Sequence, residues 1–336
     1  MLTLDDKRRS VIDPVHSNEL AIKYLPVGLF GATVALAGLG VALKQFAILY
    51  GFSAIYGSAV AVFGWVVFII LTMAYLIKYI MYPEAVKSEL AHPVSGNFLG
   101  TLFISAVLLA GLAVPFSLVF ARITWIAGTV GGLVFIYILS SRLYKGALNV
   151  LDAAPPTLIP GLTTLNAATA GVTMKFGWFG NEVDVILFSV GIAYVFVFFV
   201  VITYRLVHRP PVIQFLIPTL LLMSAPFTVG FICYLTIVPK VDLFGVVIFY
   251  FGFFIYAVLF FSVFKKGLPF MVSWWGACFS TGALANAALR YANLSHDIVV
   301  KNIVTMLVIL LIILIAITLY HTISKLLRKQ LFTPVK

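Results

Sequence analysis

Apolar runs of about 20 residues follow one another along this sequence, and its charged residues gather in the short stretches between them. A run of that length is what an α-helix needs to cross the hydrocarbon of a bilayer. Only 10% of the 336 residues are charged and 62% are hydrophobic, against roughly 25% charged in a soluble domain. Such a chain could not clothe a soluble surface, so the sequence predicts an all-α integral membrane protein. Ten transmembrane helices fit, at about 25–43, 55–77, 97–114, 123–141, 158–176, 185–204, 212–237, 243–264, 269–288 and 298–319. They divide the chain into an N-terminal segment (1–24), a ten-helix pore domain (25–320) and a C-terminal tail (321–336).

Ten crossings return both termini to one side, and that side holds 16 of the 22 Lys and Arg residues. The other holds Lys44, Arg122, Lys175, Lys240, Arg290 and Lys301. By the positive-inside rule both termini are cytoplasmic and the membrane is the cell membrane. The net charge of +11 then records topology, and no nucleic-acid partner is expected. The polar stretch before residue 25 reads as a cytoplasmic segment rather than a cleaved signal peptide. Cys233 and Cys278 fall inside spans and read as small apolar fillers. Asn293-Leu294-Ser295 is a short glycosylation-type match on the outer side.

The spans alternate in composition. Even-numbered spans are bulky and apolar all round, as in Tyr194-Val195-Phe196-Val197-Phe198-Phe199 and Leu307-Val308-Ile309-Leu310-Leu311, which suits a lipid-facing position. Odd-numbered spans are rich in Gly, Ala, Ser, Thr and Asn. Tight packing explains any one such position, but five alternating spans sharing the bias predict an inner ring inside an outer one: five inner–outer helix hairpins around a central pore. The pore-lining candidates are Gly28, Gly31, Thr101, Ser105, Thr164, Ser224, Thr228, Gly276, Ser280 and Ala283. Inner spans begin near proline (Pro26, Pro93, Pro160, Pro218, Pro269), whereas Pro226, in the middle of the seventh span, is expected to kink it.

All eleven Asp and Glu residues are expected outside the span centres, although a cation channel or proton pump needs carboxylates along its path. The five histidines lie at ends or in loops without metal spacing, and there is no Walker loop, HExxH or nucleophile elbow. No enzyme, metal or cofactor is expected. A path of small groups and hydroxyls suits anions or neutral solutes. Lys44, Lys175 and Arg290 outside, and Lys78, Arg142 and Arg205 inside, would either concentrate small anions at the mouths or anchor lipid headgroups. In the ninth span Gly276, Ser280, Ala283 and Ala287 share one face, with Phe279 on its shoulder as the only bulky side chain. A hydrophobic constriction has this appearance; ordinary packing is the alternative, since the chain has 30 phenylalanines.

Leu25-Pro26-Val27-Gly28-Leu29-Phe30-Gly31, Ala91-His92-Pro93-Val94, Ser224-Ala225-Pro226, and Trp274-Trp275 through Phe279 to Ala285-Asn286-Ala287 resemble the tellurite-resistance/dicarboxylate transporter family, which includes the bacterial TehA protein and the plant slow anion channels. The resemblance runs from about residue 25 to 320. It implies five helical hairpins around a pore in each protomer of a homotrimer. It also implies a pore-occluding phenylalanine in the ninth helix, a role that falls on Phe279 through Trp275-Gly276-Ala277-Cys278-Phe279. The third span departs from the family pattern, with Phe103 in its middle and no proline. The implied function is an anion channel or transporter, with the alternatives of a secondary transporter of C4-dicarboxylates such as malate, or a sulfite- or tellurite-related exporter.

Overall fold

The computed structural model describes residues 22–146, 149–265, 267–295, 298–328 and 330. Most of the N-terminal segment with Lys7, Arg8 and Arg9, and likewise Lys266, His296, Asp297, Lys329 and residues 331–336, carry sequence expectations but lie outside them.

The described residues form helices and no strand: α1 (Phe30–Tyr50), α2 (Ile55–Met81), the short α3 (Pro83–Ala91), α4 (Gly100–Ala113), α5 (Leu118–Tyr144), α6 (Ile159–Gly171), α7 (Trp178–His208), α8 (Ala225–Ile237), α9 (Leu243–Val263), α10 (Trp274–Ser295) and α11 (Ile298–Leu327). Tight 3₁₀ segments lead into four of them: Val27–Leu29 before α1, Ser95–Leu99 before α4, Pro155–Leu158 before α6 and Gln214–Ser224 before α8. Among the described residues eight helices, counted with these extensions, are long and apolar enough to cross a membrane. The chain is thus a multi-span, all-helical membrane protein. The two expected spans outside this set are those of α6 and α10, where Gly, Ala, Ser, Thr and Asn lower the hydropathy.

Local chemistry sets the ends. α1 stops at Gly51, whose φ of 72° places it in the left-handed region that terminates helices. Ser117 caps α5 by accepting from the Phe120 N–H, and Asp242 caps α9 by accepting from Gly245. Pro226 lies mid-span but in the first turn of α8, where proline removes no needed donor. In place of the kink expected of a mid-helix proline, the segment changes from 3₁₀ to α geometry just before Pro226.

α1, α4, α6, α8 and α10 pack in sequence, and α10 returns to α1, closing a ring. Each ring helix also packs along the long helix that follows it: α2, α5, α7, α9 and α11. Small residues allow these contacts. A Cβ on Gly57 of α2 would stand 2.8 Å from the Gly40 carbonyl oxygen of α1, and one on Gly191 of α7 would stand 2.5 Å from the Thr164 hydroxyl of α6. The following helices turn bulky side chains outward, among them Ile69, Ile70, Phe196, Val197, Phe254 and Phe261, while the ring is buried, as the alternation predicts.

One span boundary differs from the expectation. The turn before α7 is short, so α7 begins seven residues earlier than the sixth span was placed, and Asp184 falls in its second turn. This carboxylate is 2% exposed, lies against Gly171, and has no hydrogen-bond partner on either oxygen. A buried carboxylate therefore lies near the start of a helix long enough to span, still outside its centre.

Candidate functional site

Among the described residues, two adjoining cavities lie within the ring. The larger, about 510 Å³, receives side chains from all five ring helices and opens at the end that carries Lys44, Gln45 and Arg290. The smaller, about 20 Å³, lies toward the beginning of α1 and α4, between Gly28, Gly31, Phe98, Thr101, Trp275 and Gly276. Val34 and Phe279 line both. Phe279 packs against the apolar core and yet keeps accessible surface, unlike its neighbours Ala277, Cys278 and Ser280. Phe279 and Val34 thus stand where the two cavities adjoin.

Of the residues singled out from sequence, Gly28, Gly31, Thr101 and Gly276 line the small cavity, Ala283 the large one, and Phe279 both. Ser105, Thr164, Ser224, Thr228 and Ser280 line neither cavity. The Ser105 hydroxyl meets that of Thr33 at 2.5 Å and the Thr101 carbonyl at 2.7 Å. Thr164 donates to the Gly161 carbonyl beneath α7, Ser224 to Leu221, Thr228 to Ser224 beside Gly252 of α9, and Ser280 to Gly276. A hydroxyl inside a helix is readily satisfied by a carbonyl one turn back, so it fits a packing seam as well as a pore, and composition cannot separate the two.

The wall of the large cavity shows the same economy. Thr169, Thr173 and Thr236 spend their hydroxyl protons on the carbonyls of Leu165, Ala170 and Ile232. Asn286 donates to the carbonyls of Gly38 and Gly282 and accepts from Gln45, stitching α10 to α1. The uncommitted cations are at the mouth. Lys44 and Arg290 have no acidic partner among the described residues, and the Arg290 Nε is buried without a hydrogen bond. Lys175, expected beside them, lines neither cavity; its carbonyl accepts from Arg122.

Near the start of α1 lies an ion pair that sequence spacing did not reveal. Lys78, expected as a mouth cation, is buried: its Nζ lies 2.5 Å from Glu89 and donates to the Leu25 carbonyl at 2.7 Å. Glu89 also accepts from the Val27 N–H and the Tyr75 hydroxyl, so α3 is tied to the segment leading into α1, next to Gly28 of the small cavity. The pairing joins residues eleven apart across the Tyr82-Pro83 turn, outside the reach of any within-helix rule. Arg205 is likewise buried, with Nε and Nη1 unpartnered, and lines neither cavity.

The family model described as voltage-dependent anion channel, SLAC1, matches residues 24–323, which is nearly all of the described chain. The chain belongs to this SLAC1 family. Among curated relatives, the S-type anion channel SLAH3 of Arabidopsis thaliana is 29% identical over 251 residues, covering 71% of this chain and 37% of that protein. The tellurite resistance protein TehA homolog of Haemophilus influenzae is 24% identical over 323 residues, 95% of this chain and 96% of its own length. An uncharacterized transporter of Methanocaldococcus jannaschii, MJ0762, is 24% identical over 293 residues, 80% and 85%. This SLAC1-family chain thus spans little more than a third of SLAH3 but nearly the whole of the TehA homolog.

Proposed function

We propose that this chain is an anion channel, or a closely related anion transporter, that conducts small inorganic or organic anions through the middle of the helix ring, with Phe279 as the occluding gate. The observation that carries this reading is that Phe279 lines both cavities. An aromatic ring in a narrow passage blocks by bulk and by excluding water, which leaves an ion facing a desolvation barrier. The anion charge is supported by the family and by the unpaired Lys44 and Arg290 at the wide mouth. In this reading all ten long helices cross the cell membrane, α6 and α10 included, as five inner–outer pairs. Both termini are cytoplasmic, residues 1–24 and 321–336 flank the pore domain, and three copies assemble as a homotrimer in lipid.

A coupled carrier, of C4-dicarboxylates such as malate or of sulfite- or tellurite-type anions, is the second reading, and Asp184 is what favours it, because a buried ionisable residue in a membrane helix is a candidate for proton coupling. Asp184 lines neither cavity, which leaves the channel ahead. Reversal potentials in reconstituted vesicles under a potassium chloride gradient test the reading: the potential follows the chloride gradient. A potential that follows potassium overturns it, and uptake tied to a fixed proton stoichiometry replaces the channel with the carrier.

A further inference from the structure

The large cavity has more shape than a simple anion path requires. Its volume of about 510 Å³ lies in the range of pockets that hold drug-sized ligands, roughly 300–1,000 Å³. Its polarity is graded. The positive groups, Lys44 and Arg290, are at the mouth, and the floor is Val34, Ala35, Val229 and Phe279. From Phe279 to Arg290 is eleven residues of one helix, or about 16 Å along its axis. Between these levels the wall offers an anion almost nothing. The protons of Thr169, Thr173 and Thr236 are committed to backbone carbonyls, and both amide protons of Asn286 are committed to Gly38 and Gly282. Asn166 gives one amide proton to Leu162 and keeps one, too little to solvate a carboxylate.

We propose that this cavity is a binding site for amphiphilic monocarboxylates, with the carboxylate held at the mouth by Lys44 and Arg290 and the apolar body lying down the cavity against Phe279. Each end has what it needs. The carboxylate supplies the acidic partner that Lys44 and Arg290 lack among the described residues, and the hydrocarbon lies against the apolar lining of the cavity. A dicarboxylate of equal length is rejected, because its second charge would rest among Val34, Val229 and Phe279 without donors. Seated there, the ligand fills the wide half of the proposed pathway and blocks it. That consequence rests on the channel reading; the binding does not.

The test uses purified full-length chain in lipid nanodiscs, with empty nanodiscs subtracted, titrated with benzoate, 4-ethylbenzoate, 4-butylbenzoate, terephthalate and 4-ethylbenzamide. Affinity rises roughly three-fold for each methylene added to the benzoate ring. Terephthalate, and the uncharged amide, each bind at least ten-fold more weakly than 4-ethylbenzoate. Arg290→Gln and Lys44→Gln each weaken 4-butylbenzoate several-fold and leave the amide unchanged. An affinity that is flat along the alkyl series, or terephthalate equal to or tighter than 4-ethylbenzoate, overturns the proposal without need of any variant. A chain that binds the series but carries no anion current keeps this inference and loses the channel reading. One that carries current and ignores the series does the opposite.

Discussion

The two cavities on either side of Phe279 are bounded by the same five-membered ring, yet one measures about 510 Å³ and the other about 20 Å³. The difference comes from side chains rather than from helix number. The wide half is bordered by Gly38, Gly111, Ala170 and Ala283, the narrow half by Phe98, Ile159, Leu222 and Trp275. The ends differ in charge as well: cations without acidic partners at the wide mouth, and a buried, fully partnered lysine near the narrow half. A ring of similarly packed helices thus encloses two unlike spaces, one wide with cations at its mouth and one narrow beside a buried ion pair, and the proposed passage runs through both.

That contrast can be broken at several points. The largest effect is on the ion pair. Lys78→Met leaves the partly buried Glu89 without its cation and costs about 3 kcal/mol of stability, read as loss of folded protein on heating; a change below about 1 kcal/mol would make the pair a surface contact. Next is the divider. Phe279→Ala joins the cavities and raises anion current about a hundred-fold per folded protein, equivalent to ~2.7 kcal/mol off the barrier, and Phe279→Leu raises it less. A ring present only for packing would instead cost about 3–5 kcal/mol of stability and leave current per folded protein unchanged. Gly276→Leu, whose Cβ finds ordinary contact with Thr219 at 3.4 Å, fills the narrow half and lowers the current of the Phe279→Ala chain about ten-fold. The smallest effect is at the wide mouth. Arg290→Gln lowers conductance about two-fold at 10 mM salt and scarcely at all above 0.1 M, where screening acts over about 10 Å. Equal conductance at every salt concentration would assign Arg290 to anchoring.

Much of this arrangement is legible in the sequence, because hydropathy and residue size are additive properties of a helix. The alternation of small and bulky spans corresponds to ring and surrounding helices, and Phe279 stands out as the one large side chain on the small face of its span. What stayed hidden depended on direction and distance. Thr164 and Thr228 carry the same hydroxyl as Thr101, yet they face α7 and α9 rather than a cavity. Helix rotation, set by packing, decides that. Asp184 was placed outside its helix because the turn before it gives no strong stop signal. Lys78 read as a mouth cation because its partner lies on a different helix, beyond a proline turn.

The central claim is that the Phe279 ring is what keeps the two cavities apart, and aqueous access measures this most directly. In a chain whose Cys233 and Cys278 are replaced by alanine, single cysteines at Ala283 and at Thr101 report the wide and narrow halves. A small membrane-impermeant thiol reagent is applied to intact cells, where the proposed topology faces the Lys44 mouth outward. Ala283→Cys is modified in every case, while Thr101→Cys is untouched when Phe279 is present and modified at a comparable rate once Phe279 is alanine. Modification of Thr101→Cys behind an intact Phe279, or its continued protection after Phe279→Ala, would contradict the account.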